Sequence, residues 1–131
     1  MKNRLNIAQI GVGYWGPNLL RNLVGNKDCE VTMVVDFSED RRNFVNGLYP
    51  NIATTGRVDD VLNDANLDAV IVSTPVASHF DLTMKALESG KHVLVEKPMA
   101  TTVAEVQQIG KLADERSLVA MVGHTFLFNS A

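Results

Sequence analysis

The chain has 131 residues, 46% of them hydrophobic and 21% charged, with a formal net charge of -3. That length suits one domain rather than two, and the apolar content is enough to bury a core, which excludes a disordered chain. The net charge argues against a nucleic-acid partner, and no apolar run approaches the roughly 18 residues of a membrane span. Met1-Lys2-Asn3-Arg4 does not open a signal peptide, and the single Cys29 excludes an internal disulfide, so a cytoplasmic location is expected.

Strand-like runs alternate with longer amphipathic segments along the chain. Leu5 to Ile10 reads as a strand stopped by Gly11. From Trp15 to Val24 apolar residues recur at helical spacing, with Trp15, Leu19, Leu20, Leu23 and Val24 on one face. Val31 to Val35 is a second strand, ending at Asp36. Ser38 offers an N-cap for a helix to about Leu48, which Tyr49-Pro50-Asn51 breaks. A short strand near Ile52 to Thr54 and a helix near Val58 to Asn63 follow.

Asp68 to Ser73 is a buried strand closed by Thr74-Pro75, and Ala77 to Ser89 a helix stopped by Gly90. His92 to Val95 is the fifth strand, leaving through Glu96-Lys97-Pro98. Thr101 or Thr102 caps a helix to about Glu115, and Leu118 to Val122 is the last strand. Six continuously apolar strands alternating with five helical segments predict a doubly wound parallel α/β sheet covered on both faces, a Rossmann fold.

In such a sheet ligands bind beyond the carboxyl ends of the strands, so the strand exits carry the chemistry. The first exit is Gly11-Val12-Gly13-Tyr14-Trp15-Gly16, a G-x-G-x-x-G with Pro17 in the first helical turn. Its glycines allow a tight turn, a close approach to a pyrophosphate, and close packing of helix on strand. The helix N-terminus adds unsatisfied N–H donors. Asp36 lies at the end of the second strand, where a carboxylate accepts hydrogen bonds from an adenosine ribose. It repels a 2′-phosphate and so favours NAD over NADP; Arg41 or Arg42 could reach a phosphate from the start of the second helix, but such arginines more often form a solvated helix face. No Gly-Lys-Ser/Thr is present for a P-loop. Ser73, Thr74 and Pro75 leave room for a flat ring, His79 follows one turn later, and Lys97 is positioned to hold a substrate hydroxyl.

The glycine turn, Asp36, Thr74-Pro75 with His79, and above all Glu96-Lys97-Pro98 resemble the amino-terminal domain of the Gfo/Idh/MocA oxidoreductases over essentially the whole chain. Gly13-Tyr14-Trp15-Gly16-Pro17-Asn18 and Gly123-His124-Thr125-Phe126 look most like members that oxidise nucleotide-sugars, such as UDP-N-acetylglucosamine 3-dehydrogenases. The resemblance implies a domain over residues 1–123 that binds NAD, or less readily NADP. It implies hydride transfer at a sugar carbon, Lys97 near the nicotinamide and the reacting hydroxyl, and Glu96 at the nicotinamide ribose. Thr74 and Pro75 would line the ring pocket.

The resemblance further implies that residues 124–131 begin a crossover into a carboxy-terminal domain absent from this chain. That domain would carry the substrate pocket and the catalytic histidine, so His124 is not assigned as the base. The chain alone is expected to be catalytically incomplete, with Phe126-Leu127-Phe128, which the second domain would cover, left to pack back, pair with another copy or stay exposed. Two other classes stay open: a nucleotide-sensing or interaction module without catalysis, and a methyltransferase, for which the Thr-Pro and Glu-Lys-Pro exits have no evident use.

Overall fold

The computed structural model describes residues 3–124. Strands β1 (Leu5–Ile10), β2 (Cys29–Val35), β3 (Ala53–Thr55), β4 (Ala69–Val72), β5 (His92–Glu96) and β6 (Ala120–Gly123) form one sheet in the order β3-β2-β1-β4-β5-β6. Every pairing is parallel. The winding runs outward from β1 to β3 and then restarts on the other side with β4, so the strand order reverses between β1 and β4.

Helices α1 (Gly16–Val24), α2 (Glu39–Leu48), α3 (Asp59–Leu62), α4 (His79–Glu88) and α5 (Val103–Arg116) cover both faces. Successive strand residues feed opposite cores. Val70 and Val72 join Ala8, Ile10, Leu87 and Ile109 under α3, α4 and α5, whereas Ile71 joins Ile7, Val34, Leu20 and Val45 under α1 and α2. Burial on both sides is why the strands are apolar throughout instead of alternating. Each fully buried Leu or Ile, such as Leu20, Leu87 and Ile109, contributes about 1.5–3 kcal/mol.

The ends of the elements follow local chemistry. Ser38 Oγ accepts from the Arg41 amide at the start of α2, and Thr102 Oγ1 accepts from the Glu105 amide at the start of α5. Gly90 takes φ +79° after α4, where the Lys91 amide donates back to Ala86 O. The expected elements all form, with shifted ends. Trp15 stays in the glycine turn as the N-cap of α1, so it and Val24 are exposed and the buried face reduces to Leu19, Leu20 and Leu23.

The helix expected from Ala77 begins as a 3-10 turn over Val76–Ser78, because the Ser78 amide and Oγ both donate to Pro75 O. The last strand starts at Ala120, because the Leu118 amide is spent on Ala113 O in closing α5. His124 is the last described residue, and the Phe126-Leu127-Phe128 tail lies outside the described residues. Among the described residues no helix is long and apolar enough to cross a membrane.

Ser117 closes α5 in the left-handed region at φ 55°, which costs an L residue energy that glycine avoids. Ser117→Gly should therefore raise stability by about 0.5–1 kcal/mol in urea denaturation, after allowing for glycine's extra chain entropy. A destabilised variant would contradict this account of the cap.

Candidate functional site

An open cleft of about 1220 Å³ runs along the carboxyl ends of the strands, across the point where the strand order reverses. Small-molecule pockets span about 300–1,000 Å³, so the cleft has room for an elongated ligand of two joined units. Gly11, Gly13, Tyr14, Trp15, Asp36, Ser73, Thr74, Pro75, His79, Glu96 and Lys97 line it. Gly16, also expected at the site, is buried behind the turn.

The three motif glycines do different work. Gly11 sits at φ +96°, and a Cβ there would stand 2.6 Å from Ser73 O. A Cβ on Gly16 would stand 2.6 Å from Gly11 O. Both contacts are too close for any side chain, so these residues hold β1, α1 and β4 together. A Cβ on Gly13 would meet nothing within 4 Å. Its side-chain position opens into the cleft, where a ligand can reach the backbone. In the first turn of α1 Pro17 has no N–H and the Asn18 amide donates to Trp15 O at 3.0 Å, which leaves the Gly16 amide without an intrahelical acceptor.

One residue that braces this turn was not singled out from sequence. Gln9 is fully buried in β1, and its Nε2 donates to Gly11 O at 2.9 Å and to Gly16 O at 2.8 Å. Ser73 Oγ donates to the same Gly11 carbonyl at 2.6 Å. The signal available was an amide near the end of an apolar strand, two residues before the first glycine.

Asp36 is held on two sides. Its Oδ2 accepts from the Val12 amide at 3.0 Å and its Oδ1 from the Ser38 amide at 2.9 Å. The carboxylate thus joins the glycine turn to the start of α2, with lone pairs left for a ligand hydroxyl. The reading of both arginines as solvated is corrected for Arg42. Its Nη1 donates to Asp36 O at 2.7 Å and Phe37 O at 3.1 Å, bracing the turn because one planar guanidinium nitrogen ties two successive carbonyls. Arg41 is exposed and lines the cleft. Tyr14 and Phe37, 97% and 82% exposed, are aromatic lips on the same rim.

At the other end, Thr74 Oγ1 lies 2.6 Å from Ser78 Oγ, which fixes the Thr74-Pro75 exit. From sequence His79 could touch a ligand or simply cap and pack, and the structure shows the second, against its place among the candidate cofactor-binding residues. Its ring is 2% exposed, with Nε2 2.7 Å from Thr74 O and Nδ1 2.7 Å from Pro98 O. Both nitrogens are engaged with protein carbonyls, so neither is available to a ligand. Glu96 is half-buried at the end of β5, its carboxylate close against Gly123. Lys97 is exposed on the cleft wall. Cys29 lies at the opposite end of the sheet, where burial pushes its thiol up more than the nearby Arg4 charge draws it down. Among the described residues no three His, Cys, Asp or Glu side chains are placed to hold a metal.

The glycines give a separable test. Gly13→Ala should leave urea stability within about 0.5 kcal/mol of the parent yet weaken NADH binding at least about tenfold, since the new methyl enters only the cleft. Gly11→Ala should lose roughly 2 kcal/mol or more of stability through strain and collision with Ser73. Equal stability loss in both would contradict this division of roles.

Comparison with known proteins agrees with the geometry. Residues 5–124 match the Gfo/Idh/MocA family model, described as an oxidoreductase family with an NAD-binding Rossmann fold. YdgJ of Escherichia coli, an uncharacterized oxidoreductase, is 28% identical over 130 residues, 99% of this chain and 37% of its own length. IolW of Bacillus subtilis, an NADP(+) scyllo-inositol 2-dehydrogenase, is 29% identical over 95% of this chain and 36% of its own.

Among solved structures, GenD2 from gentamicin A biosynthesis, in complex with NAD, superposes with a TM-score of 0.93 at 28% identity. That match covers 99% of this chain and 37% of GenD2. A mutant of KijD10, a 3-ketoreductase from Actinomadura kijaniata with TDP-benzene and NADP bound, gives 0.89 at 27%, covering 97% of this chain and 40% of KijD10. The chain therefore spans well under half the length of these relatives. It belongs to the Gfo/Idh/MocA oxidoreductase family and has that family's NAD-binding Rossmann fold.

Proposed function

We propose that this chain is the cofactor-binding part of an NAD-dependent dehydrogenase acting on a hydroxyl or ketone of a sugar or nucleotide-sugar. The observation that carries the reading is the single cleft joining the open Gly13 backbone, the oriented Asp36 carboxylate and the Lys97 side chain. A dinucleotide fits these residues, because the Gly13 position is empty space that a Cβ would fill on the cleft side. The pyrophosphate would lie at Gly13 and the start of α1, the adenosine ribose at Asp36, and the nicotinamide between Thr74-Pro75 and Glu96-Lys97.

Bound nicotinamide would supply the hydride acceptor or donor. The protein's part is to hold the ring against Thr74 and Pro75 and to keep Lys97 Nζ beside the reacting oxygen, where its charge offsets developing negative charge. Residues 1–123 would form this cofactor unit, and 124–131 would lead toward a substrate-binding unit. Relatives named for an inositol and for a 3-ketoreductase with a TDP ligand support polyol or nucleotide-sugar chemistry. A reducing cytoplasm suits the free, buried Cys29.

Relatives have been solved with NAD and with NADP, and Asp36, whose charge would repel a 2′-phosphate, supports NAD here. Trp15 lines the cleft and is 48% exposed, so it reports occupancy. Saturable energy transfer from Trp15 to NADH is expected, with NADH at least about tenfold tighter than NADPH. A folded sample without saturable transfer would remove the NAD reading, and tighter NADPH binding would remove the role given to Asp36.

A further inference from the structure

We propose that His79 is a positioning residue for the nicotinamide end of the cleft, acting as a double-ended clamp between the exits of β4 and β5. The inference rests on the NAD reading above and adds a part that holds the ring pocket in shape. The ladder between β4 and β5 ends at the Val72–Val95 pair. Beyond it, no backbone hydrogen bond joins residues 73–78 to residues 96–100. The two segments that would flank the nicotinamide, Thr74-Pro75 and Glu96-Lys97-Pro98, leave the sheet without a backbone link.

His79 supplies that link. Nε2 meets the carbonyl just before Pro75, and Nδ1 meets the carbonyl just after Lys97, each at 2.7 Å. Which ring nitrogen donates depends on the tautomer, and the two short contacts hold the ring between both carbonyls. The ring is 2% exposed, which leaves little room for water to replace either bond. It is also the first residue of α4, whose Leu82, Ala86 and Leu87 are buried in the core. The clamp therefore fixes both exits to a packed helix. Adenosine binds at the other end of the cleft, near Asp36, and lies outside its reach.

The test compares NADH with ADP-ribose, which lacks the nicotinamide, by calorimetry on the full chain. His79→Asn keeps a donor near the Nδ1 position and His79→Gln one near the Nε2 position, so each variant opens a different half of the clamp. Both should weaken NADH about fivefold or more while ADP-ribose stays within about twofold, because one bond is lost at the nicotinamide end alone. Unchanged NADH binding in both variants overturns the proposal. So does loss of ADP-ribose binding in step with NADH, whether through local or wholesale unfolding. A parent chain that binds neither ligand removes the NAD reading itself, and the clamp's role with it.

Discussion

Gly11 passes so close to Ser73 that a methyl group on it would stand 2.6 Å from the Ser73 carbonyl oxygen. This contact joins the ends of β1 and β4 at the point where the strand order reverses, and the site grows out from it. The Gly11 carbonyl takes hydrogen bonds from Gln9 Nε2 and Ser73 Oγ, so its turn is held from within β1 and from β4 together. Gly16 packs against the same carbonyl, which brings the N-terminus of α1 to the cleft. Relaxing any of these would open the turn and move the helix terminus away from the space in front of Gly13.

From that joint the cleft extends in two directions with different kinds of support. Toward β2, the Asp36 carboxylate is tied to backbone amides on both sides, and Arg42 binds the two carbonyls behind it. An acid fixed in this way presents one orientation to a ribose, without losing rotamer freedom on binding. Toward β5 the two strand exits share no backbone link, and the shape of the pocket depends on a buried imidazole bridging two carbonyls. In the proposed binding mode the adenosine end is thus organised by a carboxylate that meets the ligand, the nicotinamide end by an imidazole that does not.

Much of this was legible because it is local. Continuous apolar runs, Gly90 and Thr102 mark strand and helix limits through interactions within a few residues. Asp36 and Glu96-Lys97-Pro98 were legible because strand ends in a parallel sheet share one edge. What escaped depends on long-range partners. Gln9 acts on Gly16 and Ser73, one of them 64 positions away. His79 has helical spacing that fits either direction, and only the position of Pro98, 19 residues on, turns it inward. Arg42 was taken for a surface charge because nothing nearby in sequence signals that its guanidinium returns to the carbonyl of Asp36.

The central claim is that one ligand occupies the whole cleft, from Asp36 past Gly13 to Lys97. Backbone amide shifts of the labelled chain during an NADH titration test it most directly. The account predicts saturable changes at residues 11–16, 36–38, 73–74 and 96–97, with the opposite sheet edge at Asp28, Asn66 and Lys91 unchanged. Changes confined to one strand exit, or centred on that opposite edge, would contradict it.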